Sequence, residues 1–184
     1  MDEKRLTQAV RLFLEGLDVE SDSAEMDETA TRVAKAWVRD LVSGYATDPA
    51  DLLGNAWAEG GAGIVLMKDI EFTSVCRHHL LPFSGTASVA YLPEGRVVGL
   101  SKIADLVDCL SRRLQLQESL TDEIASALMT HLKPRGAACM IRAEHCCVSA
   151  RGPRKSGAGV ISTSLKGAFS SDPVYKNKFF QLTR

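Results

Sequence analysis

The sequence has 184 residues and a mass of 19.9 kDa, a length that suits one domain with a substantial core. With 45% hydrophobic and 24% charged residues and a net charge of -1, the composition is that of a globular protein, which disfavours a general nucleic-acid or membrane-surface binder. We expect neither a signal peptide nor a transmembrane helix, because the first residues are charged and no apolar run is long enough. Five cysteines, two of them adjacent, disfavour a disulfide framework and predict a reducing cytoplasm.

The first third of the chain is typical of helices. Apolar residues at helical spacing predict a first helix that ends near Gly16, and residues 18–26 form a polar linker. A second helix is predicted over 27–43 with Gly44 as its terminator, and one short helix more within 48–58. A glycine-rich break at 60–63 then separates this N-terminal region from a region with β character.

The remaining elements predict an α+β fold. Strands are expected over 64–72, 85–92, 137–144 and 160–165. Two amphipathic helices lie between the second and third strands, with Ser101 and Thr121 as predicted N-caps. The order is therefore N-terminal helices followed by β-β-α-α-β-β, which favours an antiparallel sheet covered on one face by two helices. We treat 1–184 as a single domain, with a helical region to about 60 and a catalytic region from 64.

Thiol and imidazole side chains concentrate at two places that are distant in sequence. Cys76 and His79 are three residues apart, a spacing that lets one tight turn hold a single metal ion. Either Cys146 or Cys147 can add a third ligand. Zinc binds thiolate and imidazole, and a catalytic zinc site keeps three protein ligands and an open fourth position.

Several motifs resemble those of the GTP cyclohydrolase I family, in order and with similar spacing, from about residue 27 to 169. The segments are Cys-Arg-His-His at 76–79 with Pro-Phe-Ser-Gly at 82–85, Gly-Leu-Ser-Lys at 99–102, Arg-Leu-Gln-Leu-Gln-Glu-Ser-Leu-Thr at 113–121, His-Cys-Cys-Val-Ser-Ala-Arg-Gly at 145–152, and Thr-Arg-Val-Ala at 31–34. The resemblance implies the tunnelling fold, in which the sheets of several subunits join into a barrel and active sites form between subunits. It also implies a homo-oligomer, a decamer or related ring.

The resemblance further implies a hydrolase that opens the imidazole ring of GTP at C8, releases formate and yields 7,8-dihydroneopterin triphosphate. One Zn²⁺ per subunit is then held by Cys76, His79 and Cys147, with Cys146 at a variable position. His145 is implied as the acid/base that serves N7, and His78 as the second one. These roles suit histidine, which titrates near working pH.

Substrate contacts are implied in the same way. Glu118, with Gln117 beside it, would accept from the N1-H and amino groups of guanine. The implied contacts to the triphosphate are Ser101, Lys102, Arg151 and Arg32. Backbone N–H groups at a helix N-terminus and nearby cationic side chains favour phosphate binding.

Two positions depart from the family pattern. Arg77 stands where the zinc loop usually has glutamate, and Asp105 where an arginine is usual. In one interpretation Arg77 and Asp105 face each other, form an ion pair of inverted polarity and return a guanidinium to the pocket. In the other, the substrate has changed to a purine compound with fewer or no phosphates, because Asp105 would repel a triphosphate at short range.

Two further hypotheses belong to other classes. A non-catalytic nucleotide-binding ring would have a closed structural zinc site with Cys146 as a fourth ligand. Other tunnelling-fold enzymes, the pyruvoyl-tetrahydropterin synthases and the nitrile reductases, use three histidines or a cysteine without zinc, and the Cys-His-Cys set fits neither. Cys109 and Cys139 lie outside every motif and are predicted to be small core residues.

Overall fold

The structure is a computed structural model that describes residues 1–18, 24–54, 56–58, 63–155 and 157–184. Its contacts group the chain into two compact units, Met1–Ser43 and Gly44–Arg184. The division therefore falls earlier than the boundary near residue 60 that we expected, and the single-domain assignment stays a prediction. In the part of the chain that is described, no helix has the length and apolar character needed to cross a membrane.

The first unit is a pair of helices. α1 (Glu3–Gly16) ends at Gly16 as predicted, and the Asp2 carboxylate caps its start by accepting from the backbone N–H of Arg5. α2 (Ala24–Ala36) begins earlier than the predicted residue 27 and continues as a π-helical turn, Trp37–Leu41. Most of the predicted linker, residues 19–23, lies outside the described residues.

The second unit is built on a five-stranded sheet in the order β5-β2-β3-β6-β7. All neighbours are antiparallel except β5, which runs parallel to β2. The strands are β2 (Val65–Cys76), β3 (Pro82–Leu92), β5 (Leu114–Gln115), β6 (Gly136–His145) and β7 (Gly159–Gly167), and a separate ladder pairs β1 (Trp57–Ala58) with β4 (Arg96–Val97). The four predicted strands are confirmed, whereas the two-residue strands are too short for a period-2 pattern to indicate them.

Two long helices cover one face of the sheet, as predicted. They are α4 (Leu100–Ser111) and α5 (Gln117–Ala127), and α5 continues as a π-helical turn, Leu128–Leu132; the short α3 (Pro49–Leu53) lies earlier in the chain. Alternate residues of β3 and β6 join the helices in the main core, which includes Val89, Tyr91, Cys139, Ile141, Ile103, Leu106, Leu120 and Ile124. Cys109 and Cys139 are buried, which confirms them as core residues, and burial raises the pKa of the Cys139 thiol.

The opposite face of the sheet is covered by a C-terminal segment for which no element was predicted. This segment forms α7 (Ala168–Ser171) and α8 (Pro173–Leu182). The intervening residues of the same two strands pack against its aromatic side chains in a second cluster of Ala90, Leu92, Ala138, Met140, Phe169 and Phe179. The sheet thus buries both faces along β3 and β6, and this fixes the register of the strands that carry the candidate site.

Both predicted N-caps are wrong. α4 is capped by Gly99, without a side-chain hydrogen bond, so Ser101 already lies inside the helix. α5 begins at Gln117, and Thr121 lies one turn within it, where its hydroxyl donates to the carbonyl oxygen of Gln117 at 2.7 Å. As a consequence Glu118 occupies the first turn of α5, where the helix dipole favours a carboxylate.

Candidate metal centre and catalytic site

The first two candidate ligands lie on the turn that joins β2 to β3. The turn closes because the backbone N–H of Leu80 donates to the carbonyl oxygen of Cys76 at 2.8 Å, and that of Cys76 donates to Leu81 at 2.9 Å. Leu80 has a φ of 55°, a left-handed conformation that is uncommon for a residue with a side chain. The folded turn brings the Sγ atom of Cys76 to 3.7 Å from Nδ1 of His79.

The third candidate ligand reaches this turn through the sheet. β6 pairs with β3 so that His145 lies opposite Phe83, and the short helix α6 (Cys146–Ser149) follows directly. The thiol of Cys147 on α6 then joins Cys76 and His79, with all three ligand atoms within 4.8 Å of one another. A tetrahedral zinc site has ligand atoms about 3.5–3.8 Å apart, so small side-chain adjustments suffice to bind the ion.

The electrostatics of this group also suit a cation. Burial raises the pKa of the Cys147 thiol, and the neighbouring Cys76 raises it further, while Arg151 opposes the shift. Two adjacent thiolates repel each other, and a divalent cation between them removes this repulsion. Two sulfur atoms and one imidazole nitrogen are donors that zinc prefers. The residues present therefore fit a zinc ion.

Cys146 does not belong to this group. Among the described residues, the set of side chains able to share one metal ion contains Cys76, His79 and Cys147. Cys146 is half-buried at the start of α6. The closed, four-ligand structural site that we considered from the sequence is therefore not supported.

His145 stands beside the candidate metal ligands in a well-defined position. Its ring stacks on Phe83 with 4.6 Å between centroids and an interplanar angle of 2°, and its Nε2 atom lies 2.8 Å from Oε1 of Gln117. Burial lowers the pKa of His145, and the charge of Glu118 opposes this shift. The predicted acid/base and the predicted guanine-binding carboxylate are thus brought near each other.

Gln117, predicted beside Glu118 as a substrate contact, is buried in the single chain. The residue is only 1% exposed. Its amide nitrogen lies within hydrogen-bond distance of the carbonyl oxygens of Ile141 and Val160 and the hydroxyl of Ser162, and its amide oxygen is bonded to His145. Because both ends of the amide already have partners within the chain, the side chain orients His145.

The turn formed by residues 76–81, the metal turn, also carries side chains that face solvent. His78 is exposed, and its ring meets that of His79 edge-on at 6.3 Å. Arg77 is also exposed, and its backbone N–H donates to the carbonyl oxygen of Gln115 on β5. Within the described chain no ion pair joins Arg77 to Asp105, so the proposed pair of inverted polarity is absent from the single chain.

Asp105 has a different partner. Its carboxylate accepts from the ammonium group of Lys102 at 2.8 Å across one turn of α4. The predicted phosphate contact Lys102 is therefore partly neutralised by the residue that replaces the usual arginine. No hydrogen bond or ion pair among the described residues joins Ser101 or Lys102 to the metal turn.

The two remaining predicted phosphate contacts lie in different units. Arg151 follows α6, is exposed, and acts electrostatically on Cys147. Arg32 lies on α2, where it pairs with Glu28 and lines an open depression of about 370 Å³ together with Arg11 and Lys35. The structure therefore places Arg151 close to the candidate metal ligands, while Arg32 belongs to the other compact unit.

Sequence reasoning missed three residues that support His145. Phe83 belongs to the Pro-Phe-Ser-Gly motif, and the sequence predicts no site role for Ser162 or Thr121. Their contribution depends on the pairing of α5 with β6 and β7, which no local pattern reveals. The one sequence signal for this support is Phe83, because it lies in a motif. Two residues later Gly85 lies very close to the backbone of the neighbouring strand.

Comparison with known proteins agrees with the motifs. The profile described as GTP cyclohydrolase I matches residues 6–184. This chain belongs to the GTP cyclohydrolase I family. It is 47% identical over 178 residues to GTP cyclohydrolase 1 of Brucella canis, covering 96% of this chain and 83% of that protein. It is 45% identical to GTP cyclohydrolase 1 of Bartonella henselae, covering 96% and 86%.

Among solved structures, the crystal structure of the archaeosine synthase QueF-Like in the apo form matches with a TM-score of 0.49 and 20% identity, over 59% of this chain and 97% of that one. The GTP cyclohydrolase I family is the stronger relationship, since it extends over nearly the whole chain. The α+β class is confirmed by the sheet and helices themselves.

Proposed function

We propose that this chain is a zinc-dependent hydrolase that opens the imidazole ring of GTP at C8, releases formate and yields 7,8-dihydroneopterin triphosphate. The observation that carries this proposal is the convergence of Cys76, His79 and Cys147 within 4.8 Å in a member of the GTP cyclohydrolase I family. When bound by these three side chains, Zn²⁺ supplies Lewis-acid activation of water for attack on a purine carbon.

The other residues act on the substrate itself. His145 delivers a proton to N7 as the C8–N bond breaks, and the exposed His78 serves as the second acid/base. Glu118, in the first turn of α5, accepts hydrogen bonds from the N1-H and amino groups of guanine. Arg151, Ser101, Lys102, Arg77 and Arg32 are the proposed contacts to the triphosphate.

The direct test is incubation of the zinc-loaded protein with GTP, with formate and an oxidised fluorescent pterin as readouts. We expect both products from the wild-type protein. We expect neither from Cys147→Ala, which removes a metal ligand, or from His145→Ala, which removes the proton donor to N7. If the wild-type protein binds zinc and GTP but forms no formate, the proposed activity is wrong and the protein is a non-catalytic nucleotide-binding ring.

A second candidate function is favoured by the ion pair between Lys102 and Asp105. A lysine that already contacts a carboxylate at 2.8 Å attracts a phosphate less than a free one, and the carboxylate repels it. This favours a purine substrate with fewer or no phosphates. Comparison of kcat/KM for GTP, GMP and guanosine decides between the two, and a preference for guanosine would overturn the assignment to GTP.

We also infer that the protein functions as a homo-oligomer with active sites shared between subunits, a decamer or related ring. The outer edge of β7 supports this, because β6 is its one neighbour in the described sheet, while Ile161 on β7 is 62% exposed. A nine-residue edge strand with exposed apolar side chains is a surface that natural proteins pair or cover.

A further inference from the structure

The ring of His145 is held by two contacts that restrain different motions. The parallel stack on Phe83, with 4.6 Å between centroids, sets the plane of the imidazole. The 2.8 Å contact between its Nε2 atom and Oε1 of Gln117 sets the rotation of the ring within that plane. Phe83 and Gln117 are each 1% exposed, so both restraints come from side chains that are themselves fixed by packing.

The surroundings of Gln117 determine which end of its amide faces His145. The other end lies 3.3 Å from the carbonyl oxygen of Ile141 and 3.1 Å from that of Val160. Carbonyl oxygens only accept hydrogen bonds, so the NH₂ group must face them and the amide oxygen must face His145. That oxygen also only accepts, and Nε2 of His145 must therefore carry a hydrogen.

Two hydroxyl groups complete the same network without conflict. The hydroxyl of Thr121 donates to the backbone oxygen of Gln117 at 2.7 Å and lies 2.6 Å from that of Ser162. Since the hydrogen of Thr121 is committed, Ser162 donates to Thr121 and its oxygen remains free to accept from the Gln117 amide at 3.0 Å. Every hydrogen in the chain from Thr121 to His145 then has an acceptor, with the two amide hydrogens of Gln117 shared among three oxygen atoms. No buried side-chain polar atom of the described residues is left unpaired.

We propose that Gln117 is a positioning residue that holds His145 with a hydrogen on Nε2, so that Nδ1 is the nitrogen that exchanges a proton with the substrate. This inference rests on the proposed function of His145. Among the described residues, Nδ1 has no hydrogen-bond partner. The imidazolium donates its Nδ1 hydrogen to N7 of the purine and becomes neutral, and the positive charge passes to the substrate. Nε2 is a donor in both states, so Gln117 keeps its hydrogen bond throughout the transfer.

The test compares Gln117→Met with Gln115→Met. Gln115 is a matched control because it is also a buried glutamine, 4% exposed, whose amide nitrogen donates to a backbone carbonyl and to Glu123. Only Gln117 bonds to His145. Loss of a side chain that orients a metal-binding histidine costs about 10–100-fold, and the same restraint acts here on a histidine beside the candidate metal ligands. We expect Gln117→Met to lower kcat by that factor with little change in KM, and Gln115→Met to leave both near the wild-type values.

A spectroscopic readout is independent of turnover. The chain has four histidines, so ¹⁵N-histidine labelling of the zinc-loaded protein gives few ring signals, and loss of a signal in His145→Gln assigns that residue. We expect the wild-type His145 to show a hydrogen on Nε2 that exchanges slowly with water, a signal retained in Gln115→Met and lost in Gln117→Met. A wild-type hydrogen on Nδ1 would overturn the inference, as would an unchanged kcat in Gln117→Met.

The two readouts separate this inference from the proposed function. If the wild-type protein does not convert GTP, the proposed function fails, while the spectrum still decides whether Gln117 holds the Nε2 hydrogen. If Gln117→Met does not fold, the wild-type spectrum decides alone. Ser162→Ala is the milder variant, because the carbonyl oxygens of Ile141 and Val160 still orient the amide, and we expect it to keep the slowly exchanging hydrogen.

Discussion

Two adjacent cysteines on α6 allow a direct test of which side chains hold the metal ion. Cys147 lies with Cys76 and His79 in the candidate metal group, whereas Cys146 does not. Serine at 147 replaces a soft thiolate by a hydroxyl that zinc binds poorly. We expect Cys147→Ser to lose the bound zinc measured by elemental analysis and to lose activity by at least the roughly 10–100-fold typical of disturbed metal sites.

Cys146→Ser is the matched control, because it makes the same change one residue away. We expect it to retain one zinc per chain and activity near that of the wild-type protein. Equal zinc loss in the two variants would contradict the assignment of Cys147 as the ligand and would revive the four-ligand structural site.

At the scale of elements, the close pairing of β3 with β6 is the feature that brings Cys147 to the metal turn. Gly85 makes this approach possible, because a Cβ atom there would lie 1.9 Å from the carbonyl oxygen of Arg142. The obstructing atom belongs to the backbone of the neighbouring strand, so the two strands must separate to admit a side chain. We expect Gly85→Ala to lower the free energy of unfolding by about 1–3 kcal/mol, measured by urea denaturation.

Gly63→Ala is the control for this effect, since a Cβ atom at Gly63 meets nothing within 4 Å. We expect it to leave stability nearly unchanged or slightly raised, because alanine restricts the unfolded chain. If both variants unfold at the same urea concentration, steric obstruction does not account for the presence of glycine at position 85.

The contact between α5 and β7 includes an acidic side chain on the surface. Asp122 accepts from Lys166 at 2.8 Å and from Ser164 at 2.8 Å, and the hydrogen bond from Lys166 is the largest cause of its lowered pKa. A carboxyl with a lowered pKa in the folded state adds stability above its unfolded pKa, near 3.9, and this stability is lost as the pH falls through the folded value.

We therefore expect Asp122→Asn to lower the free energy of unfolding at pH 7 by less than about 1 kcal/mol, since the Asp122 side chain is 58% exposed and solvent screens its charge. The difference between variant and wild type should shrink as the pH falls below about 4. Denaturation curves at several pH values measure it. A difference that is constant with pH would show that the charge of Asp122 contributes nothing.

The elements also show where sequence patterns predict structure and where they do not. Periodicity predicted α4, whose apolar face packs in the main core, and the long strands, whose alternate residues enter the two clusters on either face of the sheet. It also predicted α1, although none of the residues of α1 is buried. It did not predict the start of α5: Thr121 has the chemistry of a cap, but Gln117 is already held by β6 and β7. Likewise α8 has no strong apolar stripe, and a few aromatic residues such as Phe179 attach it to the sheet.

The candidate site shows the same contrast at the scale of the whole molecule. The candidate metal ligands could be predicted because their chemistry is local to two motifs, and the structure brings Cys76 and Cys147 together. The role of Gln117 and the ion pair between Lys102 and Asp105 depend on which side chains meet in three dimensions. Motif matching assigns a residue type to a site, but the direction of its polar atoms follows from the packing around it.

The exposed edge of β7 predicts that the protein assembles into an oligomer. β7 is an outer strand of the described sheet, and Val160 and Ile161 on it are exposed. Pairing of this edge with another subunit would satisfy its free backbone groups and cover both side chains. We expect light scattering to give a mass several times that of one chain, 19.9 kDa. Ile161→Lys should shift the protein towards smaller species, because lysine on an edge strand opposes pairing.

The control is Val174→Lys, which places the same charge on a 70% exposed apolar residue of α8 and not on the edge strand. We expect it to leave the mass unchanged. Activity should fall with the mass in Ile161→Lys if the active site is shared between subunits, and rising protein concentration should restore both together. A wild-type protein that is monomeric and fully active would contradict the proposed sharing, because one chain would then supply every residue that the reaction needs.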